Sequence, residues 1–261
     1  TLEFPFPRGR GNPGRFPIVG TPMTHTTKAR ISAIGGFAVY FAALWFLWDS
    51  PAVYPLKVFV VLLHEGSHAM AALATGGWVE KIVLDPNQGG ACYCPGGSPF
   101  ITLTAGYLGS LVWGGLILLA ARSRRVRPGM LTGMLGILTL VVTLLYVRSG
   151  FGFGFGLAFG AALLLAARKA GPGLNRGIAT VLGLTSVFYA ILDIKSDVLD
   201  RPELRSDAAM LAELTGVPTL AWGFLWIAAA LMLAFWYVRK AYWDAPADPG
   251  ASDEAPETSS A

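Results

Sequence analysis

The sequence predicts an all-α polytopic membrane protein with about seven transmembrane or re-entrant helices. Two observations carry that expectation. Hydrophobic residues make up 54% of the 261, and charged residues only 14%, against about a quarter in an ordinary globular chain. That leaves too few charges to cover the surface of a soluble domain of this length. The apolar residues also fall into seven stretches, each close to the roughly 20 residues a helix needs to cross hydrocarbon. The same composition excludes other classes. The 32 glycines show no three-residue period and the two cysteines cannot build a disulfide framework. The apolar content is too high for a disordered chain.

Residues 1–30 are rich in Pro, Gly and Arg, with five basic side chains and one acid. They read as a disordered basic arm. The apolar stretches follow at about 31–48, 54–75, 99–121, 129–147, 151–167, 178–194 and 218–238, which makes 31–238 the membrane domain. The fifth, FGFGFGLAFG, has the small-residue spacing of a tight helix–helix contact. Residues 239–261 read as a disordered acidic tail, because 241–261 carry five acids and no base. Basic clusters at Arg122–Arg127, Arg168–Arg176 and Arg239–Lys240 separate or end the spans. They read as topology signals rather than a nucleic-acid surface, and place those junctions and the C-terminal tail on the cytoplasmic side. The chain is therefore expected to be an integral multi-pass protein of a bacterial plasma membrane. Its partners are the bilayer and membrane substrates, with no nucleic acid.

An ionisable side chain inside a span is costly, so each one is a functional candidate. The second stretch contains VVLLHEGSHAMAAL, with His64, Glu65 and His68 in the pattern H-E-x-x-H. On a helix, residues i and i+4 share a face, so both imidazoles reach one ion. Zinc accepts neutral imidazole nitrogen and keeps an open position for water in catalytic sites. Glu65, one residue on from His64, is placed to take a proton from that water. The alternative is a set of polar residues that merely packs helices, an expensive use of three ionisable groups in an apolar helix.

A catalytic zinc usually has three protein ligands. His25 lies in the polar region before the first span and reads as an exposed histidine. A carboxylate is therefore expected, and VFYAILDIKSDVL at the end of the sixth stretch offers Asp193 and, four residues on, Asp197. Either fits as ligand, and the other as a partner that holds a ligand in place.

HEGSHAMAALATGGWVEKIVLDPNQGG, then AGYLGSLVWGG, then LDIKSDVL and SDAAMLAELTG before a Trp-rich last span, resemble the site-2 protease family of membrane-embedded zinc metallopeptidases, in its B-like branch. The resemblance covers about half the chain. It implies that His64 and His68 are zinc ligands, Glu65 the general base, and Asp193 the third ligand, with Asp197 as runner-up. Asp207, in SDAAM, matches the branch's pattern; it falls in a polar loop by this reading and ranks third. One departure is visible. The better-known members carry N-x-x-P-x-x-x-L-D-G around the third ligand, whereas here Ile194 follows Asp193 and no Asn or Pro precedes it within 178–194. The oxyanion contact is thus unassigned.

The expected function is zinc-dependent hydrolysis of peptide bonds in membrane-associated or transmembrane substrates. Zinc-activated water is the nucleophile and Glu65 the general base. The alternatives are a non-catalytic membrane protein and a metal or ion transporter that uses the same residues. An intact Glu65 argues against the first, and the concentration of polar groups in two places against the second. In loop 76–98, residues 79–84 alternate like a short strand and NQGG reads as a turn. A β-hairpin there either lies on the membrane or offers an edge to an extended substrate. Cys92 and Cys94 are expected to be unpaired thiols, because cysteines two residues apart rarely bridge without strain.

Overall fold

The computed structural model describes residues 25–48, 50–87, 89–196, 198 and 205–240. Among these residues, eight helices and one hairpin follow in order: α1 His25–Phe46, α2 Tyr54–Ala74, β1 Lys81–Leu84, β2 Gly90–Tyr93, α3 Pro99–Arg122, α4 Pro128–Tyr146, α5 Gly150–Lys169, α6 Pro172–Lys195, α7 Asp207–Thr215 and α8 Thr219–Val238. All seven apolar stretches are helical. Among the described residues, six helices (α2, α3, α4, α5, α6 and α8) are long and apolar enough to cross a membrane, and α1 adds the shorter apolar run Gly35–Phe46. The protein is an integral, multi-pass helical membrane protein. The arm 1–24, Asp197 and the tail beyond Lys240 lie outside the described residues, as does the side chain of His25.

Prolines mark the helix starts. Pro55, Pro99, Pro128 and Pro172 occupy the first or second position of α2, α3, α4 and α6, where a missing N–H costs no intrahelical bond. The helix α3 is central and packs on α2, α6 and α8. Small residues allow the approach: a Cβ on Gly114 would lie 2.7 Å from the Val187 nitrogen, and one on Gly183 would lie 2.8 Å from the Leu118 nitrogen. Ser186 Oγ donates to the Ser110 carbonyl at 2.7 Å across the same contact. Without water, close packing and such bonds do the work that the hydrophobic effect does elsewhere.

The glycine-rich helix α5 behaves as its spacing predicts. Gly152, Gly156 and Gly160 are buried on one face, where Gly156 lies against Thr143 and Gly160 against Leu140 of α4. Phe151, Phe155 and Phe159 stack on another face, with ring centroids 6.3 and 5.2 Å apart, and Phe159 reaches Phe59 of α2 at 5.3 Å. Gly156→Val should therefore force α4 and α5 apart and cost about 1–3 kcal/mol, the usual penalty of overpacking. Thermal unfolding in detergent measures it. Gly154→Val, whose added Cβ meets open space, is the control; equal losses in the two would discount the glycine face.

The hairpin folds back against α2. At the end of α2, Gly76 adopts φ +89°, and a Cβ on Gly77 would lie 2.8 Å from the Pro95 carbonyl oxygen. These two glycines let the chain reverse and close the hairpin's neck. Ser98 then donates its N–H to Thr75 Oγ1 at 3.0 Å. From there the hairpin runs back along α2: Gly90 packs on Glu65 and Val61, and near the tip the Pro86 carbonyl accepts from the Tyr54 hydroxyl at 2.8 Å. A helix of this length rises about 30 Å, and residues 78–86 extended reach about 27 Å, so the two match. Ile82 and Leu84 are fully buried. Non-helical backbone at such depth is tolerated only when other protein groups cover it.

The pairing fixes which edge of the hairpin faces what. The strands pair antiparallel, with Ile82 opposite Cys92 and Leu84 opposite Gly90. The outward groups of β1 are taken up by the α4–α5 junction. Arg148 N–H donates to the Ile82 carbonyl at 3.0 Å, and Ser149 Oγ bonds both the N–H and the carbonyl of Leu84. By the alternation of antiparallel ladders, the outward groups of β2 are those of Gly90 and Cys92. They turn toward α2 and Glu65.

Candidate metal centre

His64, Glu65 and His68 sit in the middle of α2, a helix whose residues Lys57–Leu63 are all buried. One turn separates the two histidines, which places their rings edge to face, 4.8 Å between centroids. Both Nε2 atoms converge on one carboxylate oxygen, Asp207 Oδ2, each at 3.1 Å. Donor atoms of the three residues all lie within 4.8 Å of one another, and this is the metal-capable cluster among the described residues.

Protonation chemistry favours a cation between these groups. The His68 Nδ1 lies 2.7 Å from the Thr102 carbonyl oxygen. A carbonyl only accepts, so Nδ1 carries the proton and donates it. In the neutral ring Nε2 then presents a lone pair to the Asp207 carboxylate, which also presents lone pairs. Two acceptors 3.1 Å apart need a proton or a metal ion between them. With bonds of about 2.0–2.1 Å, two donors of a tetrahedral zinc stand about 3.3 Å apart, close to the separations found. Two imidazoles with one carboxylate is also the donor set of known zinc hydrolases.

Space for the cluster comes from Gly106 of α3. A Cβ there would lie 2.5 Å from His64 Nε2 and 2.6 Å from His68 Nε2, inside the volume where the donors converge. Gly109, one turn on, lies against Ser67 in the same way. The AGYLGS segment that bears them thus places glycine where α3 crosses the metal-binding face of α2.

Asp207 reaches the cluster because it opens a helix, not a polar loop. Ser206 caps α7 by accepting from the Ala209 N–H at 3.3 Å, and Gly216 ends it in the left-handed conformation, φ 73°. Ala208 and Leu211 are fully buried and help hold α7 against α3 and α8. Burial alone would raise the Asp207 carboxyl. In their protonated form the imidazoles of His68 and His64 outweigh it and hold the group well below the usual carboxylate range. It is ionised at neutral pH, the state a metal ligand requires. The sequence signal for α7 was present: a serine cap, apolar residues three apart, and a terminal glycine.

Asp193 lies on the other side of His64, its Oδ2 4.0 Å from Nδ1. The cluster takes in Asp207 rather than Asp193, because Nε2 and Nδ1 point to opposite edges of the ring. Asp197 is not among the described residues.

Glu65 is buried beside the cluster, against β2. A Cβ on Gly90 would lie 2.5 Å from its Oε1, and the Cys92 backbone faces the same carboxylate. The hairpin edge and the glutamate thus share one space. Cys92 and Cys94 are bonded to each other, with Cα atoms 5.6 Å apart, which corrects the expectation of unpaired thiols. That separation falls within the range a disulfide can span.

Long apolar helices around a buried His/His/Asp cluster, with a glutamate beside it, define a polytopic membrane protein with a candidate metal centre of hydrolase type. The Peptidase M50B-like family model matches residues 37–237, and the chain belongs to that family of membrane metallopeptidases. No curated protein and no solved structure matches it.

Proposed function

We propose that this protein is a zinc metallopeptidase that cleaves membrane-associated or transmembrane substrates at a site within the membrane domain. The observation that carries the reading is the convergence of His64 Nε2, His68 Nε2 and Asp207 Oδ2 in a space kept open by Gly106. These three residues hold the ion in this reading, with Asp207 taking the place that sequence reasoning gave to Asp193. Zinc there supplies Lewis acidity, which brings the pKa of water toward neutrality and polarises a carbonyl. Glu65 takes the water's proton and passes it to the leaving amine. The Cys92 backbone and Gly90 border the Glu65 carboxylate. A substrate helix has its backbone groups already bonded, so it must unwind before attack. The C-terminal tail is cytoplasmic in this reading, by the placement of the basic clusters, and the membrane is the plasma membrane of a bacterium.

The test is the zinc content of detergent-purified protein, wild type beside His64→Ala and Asp207→Ala. About one zinc per chain is expected in wild type, with a large loss in both variants. A wild type that stays free of zinc after mild metal restoration overturns the proposal. Zinc binding without cleavage of any membrane peptide would leave a non-catalytic or transport role in its place.

A further inference from the structure

His64 and His68 are not supported alike. The ring of His68 is fixed from behind, because its Nδ1–H donates to the Thr102 carbonyl at 2.7 Å. The equivalent Nδ1 of His64 is buried and has no hydrogen-bond partner. A neutral imidazole that offers Nε2 to a metal carries its proton on Nδ1, so this atom is a buried donor in want of an acceptor. A carboxylate stands in the right direction: Asp193 Oδ2, at the end of α6, lies 4.0 Å away. No other carboxylate approaches His64 Nδ1 as closely among the described ion pairs. The Tyr107 ring packs edge-on to His64 at 4.9 Å, which limits how far the imidazole can swing.

We propose that Asp193 is a positioning residue whose carboxylate accepts from His64 Nδ1–H and holds Nε2 turned toward Asp207. The contact closes by about 1 Å when the site is loaded, a shift within reach of carboxylate rotation, and brings the pair to hydrogen-bond distance. Metal-ligating histidines almost always donate their second N–H in this way, and loss of the acceptor weakens metal binding about 10–100-fold. The two histidines then have different orienters, a backbone carbonyl for His68 and a side-chain carboxylate for His64. The inference rests on the metallopeptidase reading above.

The experiment is zinc affinity by chelator competition, with the visible spectrum of the cobalt-substituted protein, for wild type, Asp193→Asn, Asp193→Ala and Asp207→Ala. Asp193→Ala should bind zinc about 10–100-fold more weakly with a cobalt spectrum of unchanged shape, because the donor set is intact. Asp193→Asn keeps an acceptor oxygen and should lie between it and wild type. Asp207→Ala should change the spectrum or abolish it. Unchanged affinity in Asp193→Ala, even with reduced thermal stability, overturns the positioning role and leaves a packing one. A cobalt spectrum altered in Asp193→Ala but kept in Asp207→Ala makes Asp193 the ligand, and also overturns the inference. A wild type that binds neither metal fails the function reading itself, a different result from either.

Discussion

Glu65→Gln is expected to keep one zinc per chain and to lose about 10²–10⁴-fold in turnover, the usual contribution of a positioned general base. The glutamine has the shape of the glutamate and fits the same space beside Gly90 and the Cys92 backbone. Nothing in the donor cluster changes, since His64, His68 and Asp207 converge without Glu65. What disappears is the ability to take a proton. Cleavage of a fluorogenic membrane peptide in detergent, together with metal analysis of the same samples, separates the two effects. Turnover within a few-fold of wild type would remove Glu65 from the mechanism. Loss of zinc along with turnover would make it a ligand or a structural support.

Gly106→Ala should weaken zinc binding by about 100-fold or more, beyond the 10–100-fold that loss of a supporting partner costs. One methyl group is enough. The new Cβ would stand 2.5 Å from His64 Nε2 and 2.6 Å from His68 Nε2 and Cε1, so both imidazoles must leave their positions. His68 would break its bond to the Thr102 carbonyl in doing so. The metal-free protein should lose about 1–3 kcal/mol as well, from overpacking between α2 and α3. Gly177→Ala, whose Cβ meets open space, should change neither quantity. A Gly106→Ala variant with wild-type zinc affinity would mean that α3 does not bound the site.

How much was legible in the chain depends on the range of each interaction. The two histidines and Glu65 could be read directly, because a helix puts residues four apart on one face whatever surrounds it. The hairpin was legible from alternation and a turn over residues 79–90. Its direction was not: the return along α2 to Tyr54 depends on the Tyr54–Pro86 bond and on the uptake of β1 by Arg148 and Ser149, groups far apart in sequence. The disulfide between Cys92 and Cys94 likewise follows from a local backbone path that spacing alone does not specify.

Composition and local pattern suffice to show that the protein is helical and membrane-embedded, and that a histidine pair with a glutamate lies inside one of its spans. Those facts follow from composition and local periodicity, since hydrocarbon admits few backbone solutions. Which carboxylate meets the histidines depends on how the helices pack. Asp193 carries the stronger local signal, at the end of an apolar helix, yet it lies by His64 Nδ1. Asp207 stands 143 residues from His64 in the chain and reaches Nε2, because α7 packs against α3 and α8. A donor set is closed by the packing of distant helices, and no spacing within a single helix encodes it.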